Sequence, residues 1–251
     1  MGHGWEGVVL KLLRGKDFTF TVTGSEEVTP EYRRVRFTDG GLLAQSGVHP
    51  TMWVRVWFER DGKPHQRAYT LVDPDPETGT FSLEFALHEG TASDWARTAA
   101  PGDTIDATVQ GTGFTTPDPA PAHLYAVADP ASLPALNSLL DTFPATPATI
   151  WFETPAAASG TATTTAPEAD PAVQGLPFRT DPSRHTLHTV PRERAGARLT
   201  ETVRSALPTF PTDAYLWIAT DTHTARTLAG WARKELGAAK ERVSALGYWR
   251  P

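Results

Sequence analysis

The chain has 251 residues, 39% of them hydrophobic and 21% charged, with a formal net charge of −6. That length can bury the core of one large domain or two ordinary ones, and the balance of residues is that of a soluble globular protein. The negative balance excludes a dedicated nucleic-acid binder, which needs a basic surface, and the lack of cysteine excludes disulfides, Cys-based metal sites and cysteine nucleophiles.

At the N-terminus, Trp5, Val8, Val9, Leu12 and Leu13 recur at helical spacing and predict a short amphipathic helix. Lys11 and Arg14 interrupt the apolar stretch, so it does not read as a signal peptide. No run approaches the ~20 apolar residues of a membrane-spanning helix. No membrane insertion is expected, and the predicted location is cytoplasmic.

From Phe18 to about Phe114 the pattern is mostly period two. Phe18, Phe20 and Val22 alternate with threonines, and Val35 and Phe37 alternate with Arg34, Arg36 and Thr38. Met52–Phe58 is β-prone; Phe81, Leu83, Phe85 and Leu87 form one face; Ile105, Ala107 and Val109 repeat the alternation. Turn signals separate the runs at Asp39-Gly40-Gly41, Asp61-Gly62, Asp73-Pro74, Thr78-Gly79 and Pro101-Gly102-Asp103. Six or so short strands punctuated in this way predict a small antiparallel β-barrel, placed at residues 17–116.

The Pro/Thr-rich segment Thr115–Pro121 breaks the rhythm and marks the domain boundary. Residues 121–251 then alternate strand and helix: strand Leu124–Ala128, helix Ala131–Asp141, strand Ala148–Phe152, a weak strand Leu187–Val190 and a helix presenting Leu199, Val203 and Leu207. Ala214–Ala219 is the strongest apolar strand of this half, and Thr220 or Asp221 can cap the helix that follows it to Gly237. Val243–Arg250 closes the chain as a strand or extended segment. The Ala/Thr/Pro-rich residues 154–171 predict a mobile loop. Alternating strands and helices imply a mainly parallel sheet whose ligand crevice lies beyond the strands' carboxyl ends.

The most informative short segment is Arg67-Ala68-Tyr69-Thr70. In an extended strand Arg67 and Tyr69 share a face: a guanidinium able to grip phosphate beside a ring able to stack, with the Thr70 hydroxyl on the other side. Alone, the same four residues also describe an exposed arginine beside a core tyrosine. His88 lies on the face opposite Phe85 and Leu87, facing either ligand or solvent. The histidines show no metal-ligand spacing, and no metal site is expected.

Arg67-Ala68-Tyr69-Thr70 resembles the R-x-Y-T element of the siderophore-interacting proteins, a branch of the ferredoxin-reductase-like flavoproteins. Further segments match that family in order. Phe85 to Ala96 resembles its histidine, glycine-proline-alanine and tryptophan-alanine stretch, and Pro101-Gly102-Asp103 its P-G-D turn. Asp129-Pro130-Ala131-Ser132-Leu133-Pro134-Ala135 resembles the D-E-T-A-L-P-A element that opens the second domain. Gly247-Tyr248-Trp249-Arg250 resembles the terminal G-Y-W-R.

The resemblance implies an FAD-binding barrel followed by a nicotinamide-nucleotide domain, with electrons passing from NADPH or NADH to a ferric siderophore and Fe(II) released. It implies cofactor contacts at Arg67, Tyr69, Thr70, His88, Gly90, Thr91, Ala92, Ser93, Asp129 and Trp249, siderophore contacts at Arg55 and Arg250, and a monomer. Thr220 and Asp221 stand where the family often has Gly-Glu, and Arg226, Arg233 and Lys234 are candidates to meet a 2′-phosphate. Hard oxygen donors hold Fe(III) more tightly than Fe(II), so one-electron reduction loosens the complex. The chain departs from the family pattern at Val72, where a second Arg is usual, at Thr91, where a Pro is usual, and at Pro130-Ala131, where an acidic residue and a threonine are usual. These departures leave room for a flavin oxidoreductase acting on another acceptor, or for a non-catalytic binding module that keeps the fold.

Overall fold

The computed structural model describes residues 16–109, 114–155 and 170–250. The helix expected around Trp5–Leu13 and most of the loop expected at 154–171 fall outside them. The chain divides into two compact units, Met1–Gly113 and Phe114–Pro251. Among the described residues no helix is long and apolar enough to cross a membrane.

The first unit is one seven-stranded antiparallel sheet. Its strands are β1 (Lys16–Thr29), β2 (Tyr32–Thr38), β3 (Trp53–Arg60), β4 (Lys63–Thr70), β5 (Val72–Asp75), β6 (Thr80–Ala86) and β7 (Thr104–Val109). They lie in the order β4-β3-β7-β1-β2-β6-β5. Helices α1 (Leu42–Ser46) and α2 (Thr91–Thr98) interrupt the strands. Topology alone requires the sheet to curl. β4 and β5 are its opposite edges, yet only Leu71 separates them in sequence. The two edges must therefore meet, and the sheet wraps around its own apolar face as a barrel.

That face is the one the alternation predicts. Phe18, Phe20, Val35, Phe37, Phe81, Leu83 and Phe85 are all buried. Phe20 packs edge-on against Phe81 at 4.8 Å, and Phe37 stacks on Phe81 at 5.4 Å. Trp95 of α2 lies parallel to Phe37 at 6.2 Å and packs the helix against the barrel.

β4 is a strand without an alternating apolar pattern. Pairing makes it one: Asp61 and Gly62, with φ of 53° and 68°, form a two-residue turn whose twist suits a hairpin, and Arg60 pairs with Lys63. An edge strand needs no second apolar neighbour, so its polar sequence is tolerated.

The second unit is a five-stranded parallel sheet, β8 (His123–Ala128), β9 (Ala148–Thr154), β10 (His185–Pro191), β11 (Ala214–Asp221) and β12 (Val243–Trp249), in the order β10-β9-β8-β11-β12. Helices α3 (Leu133–Thr142), α4 (Ala197–Ala206) and α5 (Thr222–Lys234) connect the strands. α3 starts two residues later than the sequence pattern suggests. Asp129 and Ser132 close a turn ahead of it, with Ser132 N–H donating to Asp129 Oδ1 (3.1 Å) and Asp129 N–H to Ser132 Oγ (3.0 Å). Val127, Trp151, Val190, Leu216 and Ile218 of the sheet pack with Leu199 and Val203 of α4 and Leu228 and Ala232 of α5. The chain winds outward from β8 to β10 and then returns beside β8 as β11. The crossover direction therefore switches between β8 and β11, where sheets of this type open their ligand crevice.

Candidate functional site

In the first unit the β3–β4 register pairs Val54 with Tyr69 and Val56 with Arg67. Directly opposed residues share a face, so Arg67 and Tyr69 lie on the side of the core valines. The Tyr69 ring packs on Phe85 at 4.5 Å and edge-on against Phe58 at 6.1 Å. Burial pushes the phenol well above its ordinary pKa, against the pull of Arg67, so it stays neutral. Arg67 is exposed, its Nη1 donating to the Gln66 carbonyl (2.8 Å). Thr70 is only 4% exposed, and its hydroxyl has no hydrogen-bond partner. Arg55 pairs with Ala68 and Thr108 on the opposite face, its guanidinium 5.0 Å from the Trp53 ring centre.

His88 to Gly90 turn the chain from β6 into α2, whose first turn holds Thr91 to Ser93. His88 is exposed, its Nδ1 2.6 Å from the Glu89 carbonyl. Its backbone N–H donates to the buried Ser93 Oγ (3.1 Å), which fixes the turn. Gly90, at φ 141°, precedes the helix, and no side chain caps it. The first-turn N–H groups of Thr91, Ala92 and Ser93 have no intrahelical acceptors, which suits an anion such as a diphosphate. A cavity of about 900 Å³ lies between the end of β3, at Phe58 to Arg60, and this helix, with Gly90, Thr91 and Trp95 in its wall. Arg67, Tyr69 and Thr70 are not in that wall. Phe58 links the two places, since it lines the cavity and touches Tyr69. Val72 is 7% exposed and pairs with Ser82. The usual second cation of the pattern is replaced here by a buried apolar side chain.

In the second unit the carboxyl ends of four strands converge. Asp129 follows β8, Glu153 is the penultimate residue of β9, Arg192 follows β10 and Asp221 ends β11. The three acids are buried, at 3%, 2% and 0% exposure. Arg192 Nη1 donates to Glu153 Oε2 and to Asp221 Oδ2 (3.1 Å for the latter). Its guanidinium also lies 4.6 Å from the centre of the Trp249 ring. Trp249 Nε1 donates to Asp129 Oδ2 (2.7 Å), and Thr222 Oγ1 donates to the Trp249 carbonyl (3.0 Å).

Asp221 caps α5, accepting from the N–H groups of His223 and Thr224 and from Thr224 Oγ1 (2.6 Å). Those donors and Arg192 hold its carboxyl below the usual range despite burial. Burial wins at the other two: Glu153 is pushed up to about 7 against the attraction of Arg192, and Asp129 up to about 6 against the hydrogen bonds from Trp249 and Ser132.

The structure thus brings Asp129 and Trp249 together and keeps Arg67, Tyr69 and Thr70 within four residues of one edge strand. Arg250, next to Trp249, is exposed. Of the candidates for a 2′-phosphate, Arg226 and Lys234 are exposed on α5, while Arg233 donates to the Val243 carbonyl (2.9 Å). Glu153 and Arg192 were not singled out from the sequence. Their positions at or just past the ends of parallel strands were the available signal.

Two family models match the chain. One described as "Siderophore-interacting protein" matches residues 121–251, and one described as "Siderophore-interacting FAD-binding domain" matches residues 44–110. The mycobactin import ATP-binding/permease protein IrtA of Mycolicibacterium smegmatis is 30% identical over 256 aligned positions, covering 99% of this chain and 28% of that protein. The chain spans between 17% and 28% of the length of the IrtA proteins it matches. Among solved structures, the siderophore-interacting protein SipS from Aeromonas hydrophila superposes with a TM-score of 0.73 at 22% identity, covering 94% of this chain and 92% of that one. A ferredoxin NADP+ reductase from Neisseria gonorrhoeae with bound FAD and NADP superposes with a TM-score of 0.65 at 15% identity, covering 93% and 99%. The fold is the ferredoxin-reductase-like pairing of an antiparallel barrel and a parallel-sheet domain.

Proposed function

Given that the chain belongs to the siderophore-interacting protein family, with the family model matching residues 121–251, we propose that it is an FAD-dependent oxidoreductase. In this reading it passes electrons from NADPH or NADH to ferric iron held by a siderophore, as a cytoplasmic monomer. The observation that carries the reading is Thr70. A hydroxyl 4% exposed and without a partner is costly to bury, and a ligand polar group reaching it at the end of β4 would relieve that cost.

The residues fit FAD. Arg67 supplies a guanidinium for phosphate, Tyr69 a neutral ring packed from behind by Phe85, and Thr70 a free hydroxyl. His88 and Gly90 shape the turn that presents the N–H groups of Thr91, Ala92 and Ser93. Bound FAD would supply the conversion of a two-electron donor into one-electron steps. Asp129 and Trp249 would form part of the donor end. Arg55 of the first unit, half-buried, and exposed Arg250 of the second would each attract an anionic ferric complex. Iron is substrate here; reduction to Fe(II) weakens its hold by hard oxygen ligands.

Pro130 and Ala131 favour a second reading. They supply no side-chain polar group where the family pattern has two, which suits a flavin oxidoreductase whose acceptor is not a ferric complex.

The test is an absorbance spectrum of the purified chain before and after FAD, then anaerobic addition of NADH or NADPH, then a ferric siderophore with an Fe(II) chelator. The expected sequence is a flavin spectrum, its bleaching, and chelated Fe(II). A chain that takes up no FAD refutes the proposal, and bleaching without Fe(II) formation supports the second reading instead.

A further inference from the structure

The loop after β10 reaches the switch point of the second sheet. A Cβ on Gly196 would lie 2.3 Å from Thr224 Oγ1, 3.4 Å from Asp221 Oδ2 and 3.6 Å from Arg192 Nη1, so this loop runs directly against the end of β11. Its backbone is held in an unusual form: Arg194, Ala195 and Gly196 all have positive φ, at 49°, 54° and 89°. Left-handed conformations at two successive non-glycine residues persist only where the surroundings fix them.

The surroundings are ion pairs. Arg192 is shared between Glu153 and Asp221. Arg194 makes a two-pronged contact with Glu201, with Nη1 2.9 Å from Oε1, and Arg198 pairs with Glu193. Together with Asp129, three guanidinium groups stand among five carboxyl groups at this end of the sheet, and each of the three is held by at least one of those carboxylates. Glu153 adds an independent sign of an unfinished site, since its Oε1 is buried without a partner.

We propose that this crevice selects the dinucleotide whose adenosine ribose is unphosphorylated, NADH over NADPH. The inference rests on the reading above that a reduced nicotinamide nucleotide is the donor, and it deepens that reading by naming which one. A phosphate monoester carries about 1.5–2 negative charges near neutral pH and is recognised by guanidinium groups free to turn their N–H edges toward it. Here each arginine of the loop already donates to a carboxylate. Ribose hydroxyls have the opposite requirement. They donate to carboxylates, as in dinucleotide sites that exclude a 2′-phosphate. Glu193 and Glu201 meet that need, with side chains 45% and 60% exposed.

The test uses the full chain and the unreactive nucleotides NAD+ and NADP+ in calorimetric titrations at low ionic strength. NAD+ is expected to bind tighter by about tenfold or more, because the loop's guanidinium groups are already engaged by carboxylates. The surface double variant E193Q/E201Q removes the carboxylates that hold Arg194 and pair with Arg198, and NADP+ affinity should rise while NAD+ affinity holds or falls. Equal or tighter NADP+ binding by the unaltered chain overturns the inference and leaves the nicotinamide donor standing. So does an NADP+ affinity that the double variant does not move. Binding of neither nucleotide overturns both.

Discussion

The Trp249 indole donates to Asp129 Oδ2 at 2.7 Å although β11 lies between the strands that carry the two residues. The last residue of the final strand thus reaches over the switch point to a carboxylate that the fold has otherwise sealed from water. Hydrogen bonds to a charged, buried acceptor are among the stronger ones. Trp249→Phe should therefore cost about 1.5–3 kcal/mol at pH 7.5, and less near pH 5, where the carboxyl is protonated. Urea midpoints at the two pH values check this; equal losses would show that the indole contributes packing alone.

Glu153 carries a stability signature of its own. Its native pKa of about 7 lies above the ordinary carboxylate value of 4.5. Between those values the folded chain holds a proton that the unfolded chain has released. Stability is therefore full below the lower value and is lost as pH rises through the upper one, by roughly 1–3 kcal/mol. Asp129, at about 6, adds a smaller loss of the same sign. Glu153→Gln should flatten most of that slope, readable as urea midpoints from about pH 4.5 to 7.5.

Thr70→Val separates ligand binding from scaffold. The hydroxyl has no partner, so its removal should leave the flavin-free chain as stable or up to about 1 kcal/mol more so, while weakening FAD binding by about 1 kcal/mol. Arg67→Ala should weaken FAD by about 1.5–3 kcal/mol through loss of a charge-assisted phosphate contact. Thermal midpoints without FAD, and titrations of flavin fluorescence, give the two readings. A valine variant that unfolds early would show the hydroxyl to be structural.

Gly247 is fixed by close approach. A Cβ there would stand 2.5 Å from Thr222 Oγ1 and 2.8 Å from Thr222 Cα, so backbone would have to move. Gly247→Ala should destabilise by roughly 1–3 kcal/mol and disturb the contact between Thr222 Oγ1 and the Trp249 carbonyl. An unchanged thermal midpoint would refute this.

Much of the architecture is legible in the residues because burial is local in sequence. Phe81, Leu83 and Phe85 alternate as a strand must, and Leu199 and Val203 recur as a helix must. β4 escapes such reading, since its polar residues are ordered by the Asp61-Gly62 turn and by pairing with Trp53–Arg60. Arg67, Tyr69 and Thr70 could be picked out because they sit within four consecutive residues. Glu153 and Arg192 could not, because each is an ordinary surface-type residue until parallel pairing puts β9 beside β10 and places both at one end of the sheet. The ion pair exists only in the folded chain.

The single residue that joins the two margins of the first sheet has a mechanical consequence. Leu71 is anchored by its N–H donating to the Met52 carbonyl (2.8 Å); Thr70 before it ends one margin strand of the cylinder and Val72 after it begins the opposite one. The Arg67-to-Thr70 segment therefore lies along the seam of a rolled sheet. Anything that grips those side chains also staples the seam, and backbone amides on either side of Leu71 are where deuterium uptake should slow most when a ligand is bound there.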